Sequence, residues 1–176
     1  MAIAANFITS PAINKGTINA TKVLVIDCDV HQGDGTAKFD LEGLFTLSIH
    51  CEDNYPHPKA TSTYDVGLPS GTSDEEYMEA LNNAVDRALK EVQPDFVLYD
   101  AGIDVYEKDV LGKLKLTEAG IRARDRCVLD KCVSSEIPVA AVVGGGYDKN
   151  IQALARRHAI IHEECSLIWR KYHMWQ

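Results

Sequence analysis

The amino-acid sequence predicts an α/β fold: a mainly parallel sheet flanked by helices. Three observations predict it. Four short apolar runs of strand length recur along the chain. Stretches with helical periodicity alternate with these runs. The runs are apolar at successive positions rather than every second one, which a sheet covered on both faces requires. The length of 176 residues suits one domain, and 45% hydrophobic with 25% charged residues is a globular balance.

The first run is residues 22–27, KVLVID, which ends in an acid. The second is 44–50, LFTLSIH, the third 96–99, FVLY, and the fourth 138–143, PVAAVV. Between the second and third, Ser73 and Glu76 have capping-box spacing. After them Tyr77, Met78, Leu81, Val85, Leu89 and Val92 recur at helical spacing, and Pro94 follows the end. Thr117 is placed to cap a second helix carrying Ile121, Val128 and Leu129 on its apolar stripe. A third helix is predicted over 150–170, with Ile151, Leu154, Ile161 and Ile168 inward. The segment 51–72 follows neither period and is predicted to be a long irregular loop, a feature that in a compact domain points to function or disorder. No linker divides the chain.

The formal net charge is −8. An acidic chain argues against broad contact with a nucleic-acid backbone and leaves open a cationic substrate such as a lysine-bearing peptide. No stretch reaches the roughly 18 apolar residues of a membrane span. The five cysteines include no CxxC pair and predict reduced thiols, hence a reducing compartment. The first ten residues lack the basic segment of a secretory signal, so none is expected. Trp169, Tyr172 and Trp175 near the end read as a docking patch or an appended tail.

In open parallel sheets, ligands bind beyond the carboxyl ends of the strands. The first run continues into Asp27-Cys28-Asp29-Val30-His31-Gln32-Gly33. Asp29 and His31 are two apart, so in extended backbone both side chains reach the same side. A carboxylate and an imidazole suit a divalent metal such as zinc. Asp27 has the same parity but sits deeper, so it fits a supporting role or a monovalent ion better than direct ligation. The third run leads to Asp104, at the same edge of the sheet, as a third ligand. Three protein ligands leave a position for water, as catalytic zinc sites do. The fourth run ends in Gly144-Gly145-Gly146-Tyr147. There the glycines permit close approach, and the Tyr147 phenol could donate to a developing oxyanion. His158 and His162 are four apart on a helix and read as a polar face rather than a metal pair.

Taken together, VIDCDVHQGDG, TLSIH, DAGID and GGGYD, in this order, resemble the zinc-dependent histone deacetylase superfamily. HQGDG and the phrase DVLGKLKLTEAGIRARD are similar to its class IV and bacterial members. The resemblance implies the arginase/deacetylase fold, with residues 1–176 forming one partial domain that lacks the family's N-terminal part. It implies catalytic zinc on Asp29, His31 and Asp104, with Tyr147 as the transition-state hydrogen-bond donor. It also implies structural potassium near Asp27, Ser48 and Ile49, together with the backbones of Asp29 and His31. A substrate channel would be walled by Tyr55, Pro56, Gly145 and Gly146. The implied reaction is hydrolysis of acetyl-lysine, in histones or other proteins, or of an acetylated polyamine. The expected compartment is the cytoplasm, or the nucleus in a eukaryote.

One feature of the family has no counterpart here. Its members carry a tandem histidine pair before the zinc strand, and one of the pair acts as general base. The six histidines of this chain include no adjacent two, and none precedes His31. The resemblance therefore implies an impaired deacetylase. The alternative is a non-catalytic domain that binds metal or a partner. A two-metal ureohydrolase such as arginase is disfavoured, because Tyr106 rather than an acid stands two residues after Asp104.

Overall fold

The structure, a computed structural model, describes residues 1–16 and 18–172; Trp175 of the aromatic patch lies outside them. Five strands form one wholly parallel sheet: β1 (Val23–Asp27), β2 (Leu44–Cys51), β3 (Tyr64–Leu68), β4 (Phe96–Asp100) and β5 (Val139–Val142). Their order is β3-β2-β1-β4-β5, which puts β1 at the centre and β3 and β5 at the edges. In register, Asp27 at the end of β1 stands between Ser48 of β2 and Asp100 of β4.

Alternation along the strands sorts the core into two faces. Leu24, Ile26, Leu47, Ile49, Val97 and Tyr99 pack against α4 (Asp74–Val92), α5 (Glu118–Ser134) and α6 (Ile151–Lys171). Val23, Val25 and Leu98 face the other way, toward Ala5 and Ile8 of α1 (Ala2–Thr9). Two one-turn helices, α2 (Pro11–Asn14) and α3 (Asp34–Ala37), complete the elements. The predicted caps form. Glu76 accepts from the Ser73 amide at 2.9 Å, and Thr117 Oγ1 accepts from the Gly120 amide at 3.1 Å.

Three expectations need correction. The segment 51–72 is not wholly irregular: it contains β3. Its signal is period two, with Tyr64, Val66 and Leu68 on one face, as befits an edge strand with one face open to solvent. The fourth apolar run is not covered on both faces, since Ala140, Val142 and Val143 are exposed. Ile151, assigned to the inner stripe of its helix, is also exposed, because it occupies the first position of α6. All five cysteines are free thiols, as expected. Trp169 is partly exposed, and the Tyr172 hydroxyl donates to Asp130.

Candidate metal centre at the carboxyl ends of the strands

The loops leaving β1 and β4 run side by side. The Cys28 amide still donates to the Asp100 carbonyl at 3.0 Å, and there the ladder ends. The next residues turn their side chains to one point. The Val30 amide donates to Asp104 Oδ1 at 2.8 Å, tying one ligand loop to the other. The His31 amide donates to Asp29 Oδ1 at 2.9 Å, and His31 Nδ1 lies 2.9 Å from the same oxygen. That ring nitrogen also stands 3.2 Å from Asp104 Oδ2, an oxygen that is buried and accepts no hydrogen bond. One ligand atom from each of Asp29, His31 and Asp104 falls within 4.8 Å of the others, and this is the one such group among the described residues.

The glycine loop after β5 forms the third wall. The Gly145 amide donates to Asp29 Oδ2 at 3.1 Å, and its carbonyl accepts from the Ile103 amide at 2.7 Å. A Cβ at Gly145 would stand 2.5 Å from Asp29 Oδ2 and 2.7 Å from Asp104 Oδ2. Any side chain there would occupy the space that the two carboxylates face. Gly144 has φ of +60°, and a Cβ there would meet Asp100 Oδ1 at 2.1 Å. The glycines are thus required by both close approach and backbone conformation.

The charges explain what such a site wants. Asp27, Asp29, Asp100 and Asp104 crowd one strand end. Burial, then the Asp100 and Asp29 charges, push Asp27 well above the usual carboxylate range. Burial, with Asp29 second, pushes Asp100 to about 6. Burial also raises Asp104 to about 6. Burial acts to raise Asp29 as well, but its hydrogen bonds with the His31 ring and amide win, and the group is lowered. Asp104 and Asp29 beside the ring raise His31 to about 10. Carboxylates held this close and this dry call for a cation. The orphaned Asp104 oxygen, the open cradle at Gly145 and a donor set of two carboxylates and an imidazole all fit a divalent metal.

Comparison with known proteins agrees. The model of the histone deacetylase domain matches residues 2–163. The chain belongs to the histone deacetylase domain family. Among this deacetylase-family chain's relatives, an uncharacterised protein of Picosynechococcus sp. (strain ATCC 27264 / PCC 7002 / PR-6) is 47% identical over 145 residues. That match covers 81% of this chain and 48% of the relative. Histone deacetylase 2 of Arabidopsis thaliana is 33% identical over 138 residues, which are 76% of this chain and 36% of that one. Among solved structures, acetylpolyamine aminohydrolase from Burkholderia pseudomallei superposes with a TM-score of 0.72 at 24% identity. The superposition covers 93% of this chain and 48% of that one, and shows a shared fold. The deacetylase-family chain thus spans half or less of the length of these proteins.

Of the residues singled out from sequence, Asp29, His31 and Asp104 come together with Gly145. Tyr147 follows on the same loop, with its ring half exposed and its amide donating to Asp109 Oδ2 at 2.7 Å. Asp27 and Ser48 lie beneath. Asp27 Oδ1 accepts from the Asp29 amide, and Ser48 Oγ accepts from the Gly33 amide and contacts His50 Nδ1 at 3.0 Å. Ile49 is fully buried in the core. Tyr55 is exposed and Pro56 buried, in a loop that Asn54 fixes by donating to the Leu111 carbonyl.

Sequence reasoning missed three supporting residues. Gln32 is buried and exchanges two hydrogen bonds with the Ala60 backbone, anchoring the irregular segment beside the His31 loop. Asp109 joins the Leu111, Gly112 and Tyr147 amides. Arg124 is wholly buried behind the two ligand loops. Each acts through backbone amides or carbonyls, which no residue spacing records.

Proposed function

We propose that this chain carries the metal-holding half of a zinc-dependent hydrolase acting on acetylated amines. The observation that carries the reading is the convergence of Asp29, His31 and Asp104 on the space kept open by Gly145. Asp29, Asp104 and the His31 ring would hold the zinc ion. When bound, the ion supplies Lewis-acid polarisation of an amide carbonyl and acidification of a water.

The chain's own groups do the rest of what it can do. The Asp109 carboxylate fixes the amide of Tyr147, a half-exposed residue of the glycine loop. The Tyr147 hydroxyl would donate a hydrogen bond to the carbonyl oxygen as negative charge grows there. Asp27, Ser48 and Ile49, with the backbones of Asp29 and His31, would hold a potassium ion beneath. Tyr55 and Pro56, with the backbone of Gly145 and Gly146, would flank the acyl-amine chain.

The step this chain does not equip is removal of the water proton. No adjacent histidines occur in it, and loss of a general base costs about 10²–10⁴-fold in rate. A segment or partner supplying that base would complete the reaction. The substrate class follows the relatives' names: acetylated lysine or an acetylated polyamine. A net charge of −8 suits a substrate whose other, unacetylated amines stay cationic, in a lysine-rich peptide or a polyamine, and disfavours nucleic acid. Among the described residues no helix is long and apolar enough to cross a membrane. The free thiols suit a reducing compartment, and we place the protein in the cytoplasm.

The test pairs two assays on the full chain. Calorimetric titration should show one zinc per chain, abolished by Asp29→Ala. Hydrolysis of an acetyl-lysine peptide and of an acetylated polyamine should run about 10²–10⁴-fold slower than with a full-length relative. Absent zinc binding would refute the metal reading. Turnover equal to the relative's would refute the impairment, and zinc binding without any turnover would favour the non-catalytic alternative.

A further inference from the structure

Arg124 is the largest fully buried side chain among the described residues, and it is charged. It points from α5 toward the ends of β1 and β4. Nη1 donates to the Cys28 carbonyl at 3.1 Å and to the Gly102 carbonyl at 2.6 Å. Nη2 donates to the Ala101 carbonyl at 3.1 Å. Nε donates to Asp125 Oδ1 at 2.9 Å, and the same oxygen accepts from the Tyr99 hydroxyl at 2.6 Å. Cys28 immediately precedes Asp29; Ala101 and Gly102 stand three and two residues before Asp104.

These carbonyls lie just beyond the strands, where each chain turns toward the metal centre. Unpaired and buried, each would be costly. One rigid guanidinium satisfies all three and so fixes the distance between the two loops. Its own burial is offset by those carbonyls and by Asp125, a neighbour on the same helix. Lysine cannot replace it: an ammonium is a point donor, whereas the fork spans two chain segments in one plane.

We propose that Arg124 is a positioning residue of the metal centre, a clamp on the two ligand loops that sets the gap between the Asp29 and Asp104 carboxylates. The proposal rests on the metal reading above and deepens it. A residue that serves only core stability would alter melting without altering ligand geometry. A clamp on ligand loops alters both metal affinity and coordination.

The experiment uses the full chain and cobalt(II) as probe, reading affinity by competition titration and geometry by the visible absorption of the bound ion. Arg124→Lys should weaken cobalt binding about 10–100-fold, the usual effect of removing a group that orients ligands, and should change the absorption bands. Val128→Ala is the control: on the same helix and wholly buried, it removes core packing alone. It should lower Tm and leave cobalt affinity within about twofold, as expected of a site outside the clamp. A folded Arg124→Lys that binds cobalt within twofold of wild type, with unchanged bands, overturns the clamp while leaving the metal reading intact. Wild type that binds no cobalt overturns both. Should Arg124→Lys fail to fold, nitrogen-15 spectra of the wild type decide. The Arg124 guanidinium resonances should shift on zinc addition if the clamp feels the ligand loops, and unchanged resonances overturn it.

Discussion

The central strand β1 and the edge strand β5 both lead into the candidate metal centre, but they are held very differently. β1 is buried along its whole length, and the chain beyond it is fixed by hydrogen bonds with the loop after β4, with α5 and with the glycine loop. β5 has a free edge and one bare face, where Ala140, Val142 and Val143 meet solvent. Tyr147, which follows it, is half exposed. On the proposed reading, holding a cation and turning over a substrate would be separable here. The first would draw on groups this chain packs internally; the second would draw on its open rim.

The sharpest way to break that contrast is to attack the ligands. Asp29→Ala should abolish zinc binding in calorimetry, an effect of more than about 100-fold on affinity, since one of three ligands is gone. Tyr147→Phe should leave zinc affinity within about twofold, because the phenol is not among the three proposed ligands. Equal losses in the two variants would erase the distinction. Next in size, Gly145→Ala places a methyl between the Asp29 and Asp104 oxygens. Zinc affinity should fall about tenfold or more, and overpacking of this kind should lower stability by about 1–3 kcal/mol in denaturant melts.

Acidity gives a third lever. His31 is raised to about 10, so at neutral pH the proton must leave the ring before Nδ1 can take a metal. Zinc affinity should therefore rise about tenfold per pH unit between roughly pH 6.5 and 8.5, with about one proton released per ion. Toward pH 6 Asp104 protonates as well, and the dependence should steepen. Calorimetry in buffers of different ionisation enthalpy counts the protons, and affinity flat across this window would contradict the assignment. Stability alone should separate the two strands themselves, and the smallest effect falls on β5. Ile26→Ala in β1 should cost about 2–5 kcal/mol, and Val142→Ser in β5 within about 0.5 kcal/mol.

Much of this was legible in the sequence. The runs of β1, β2 and β4 were found because buried parallel strands read as continuous apolar stretches, and β5 because its run is equally apolar though half of it is exposed. The convergence of Asp29, His31 and Asp104 was legible because parity and strand ends place them at one edge. β3 was missed because an edge strand alternates, and Pro56, Pro58 and Gly67 around it suggested a loop. The bare face of β5 was missed because an apolar run does not say whether its cover lies within the chain. Arg124 and Asp109 were missed for a different reason. Their partners are backbone groups of distant segments, so their meaning appears only once the chain is folded.

X-ray absorption at the zinc edge tests the central claim most directly. Zinc-loaded full chain should show one ion bound by nitrogen and oxygen alone, at about 2.0–2.2 Å, with no sulfur. A sulfur shell near 2.3 Å would place the metal on the cysteines instead, and would contradict the account.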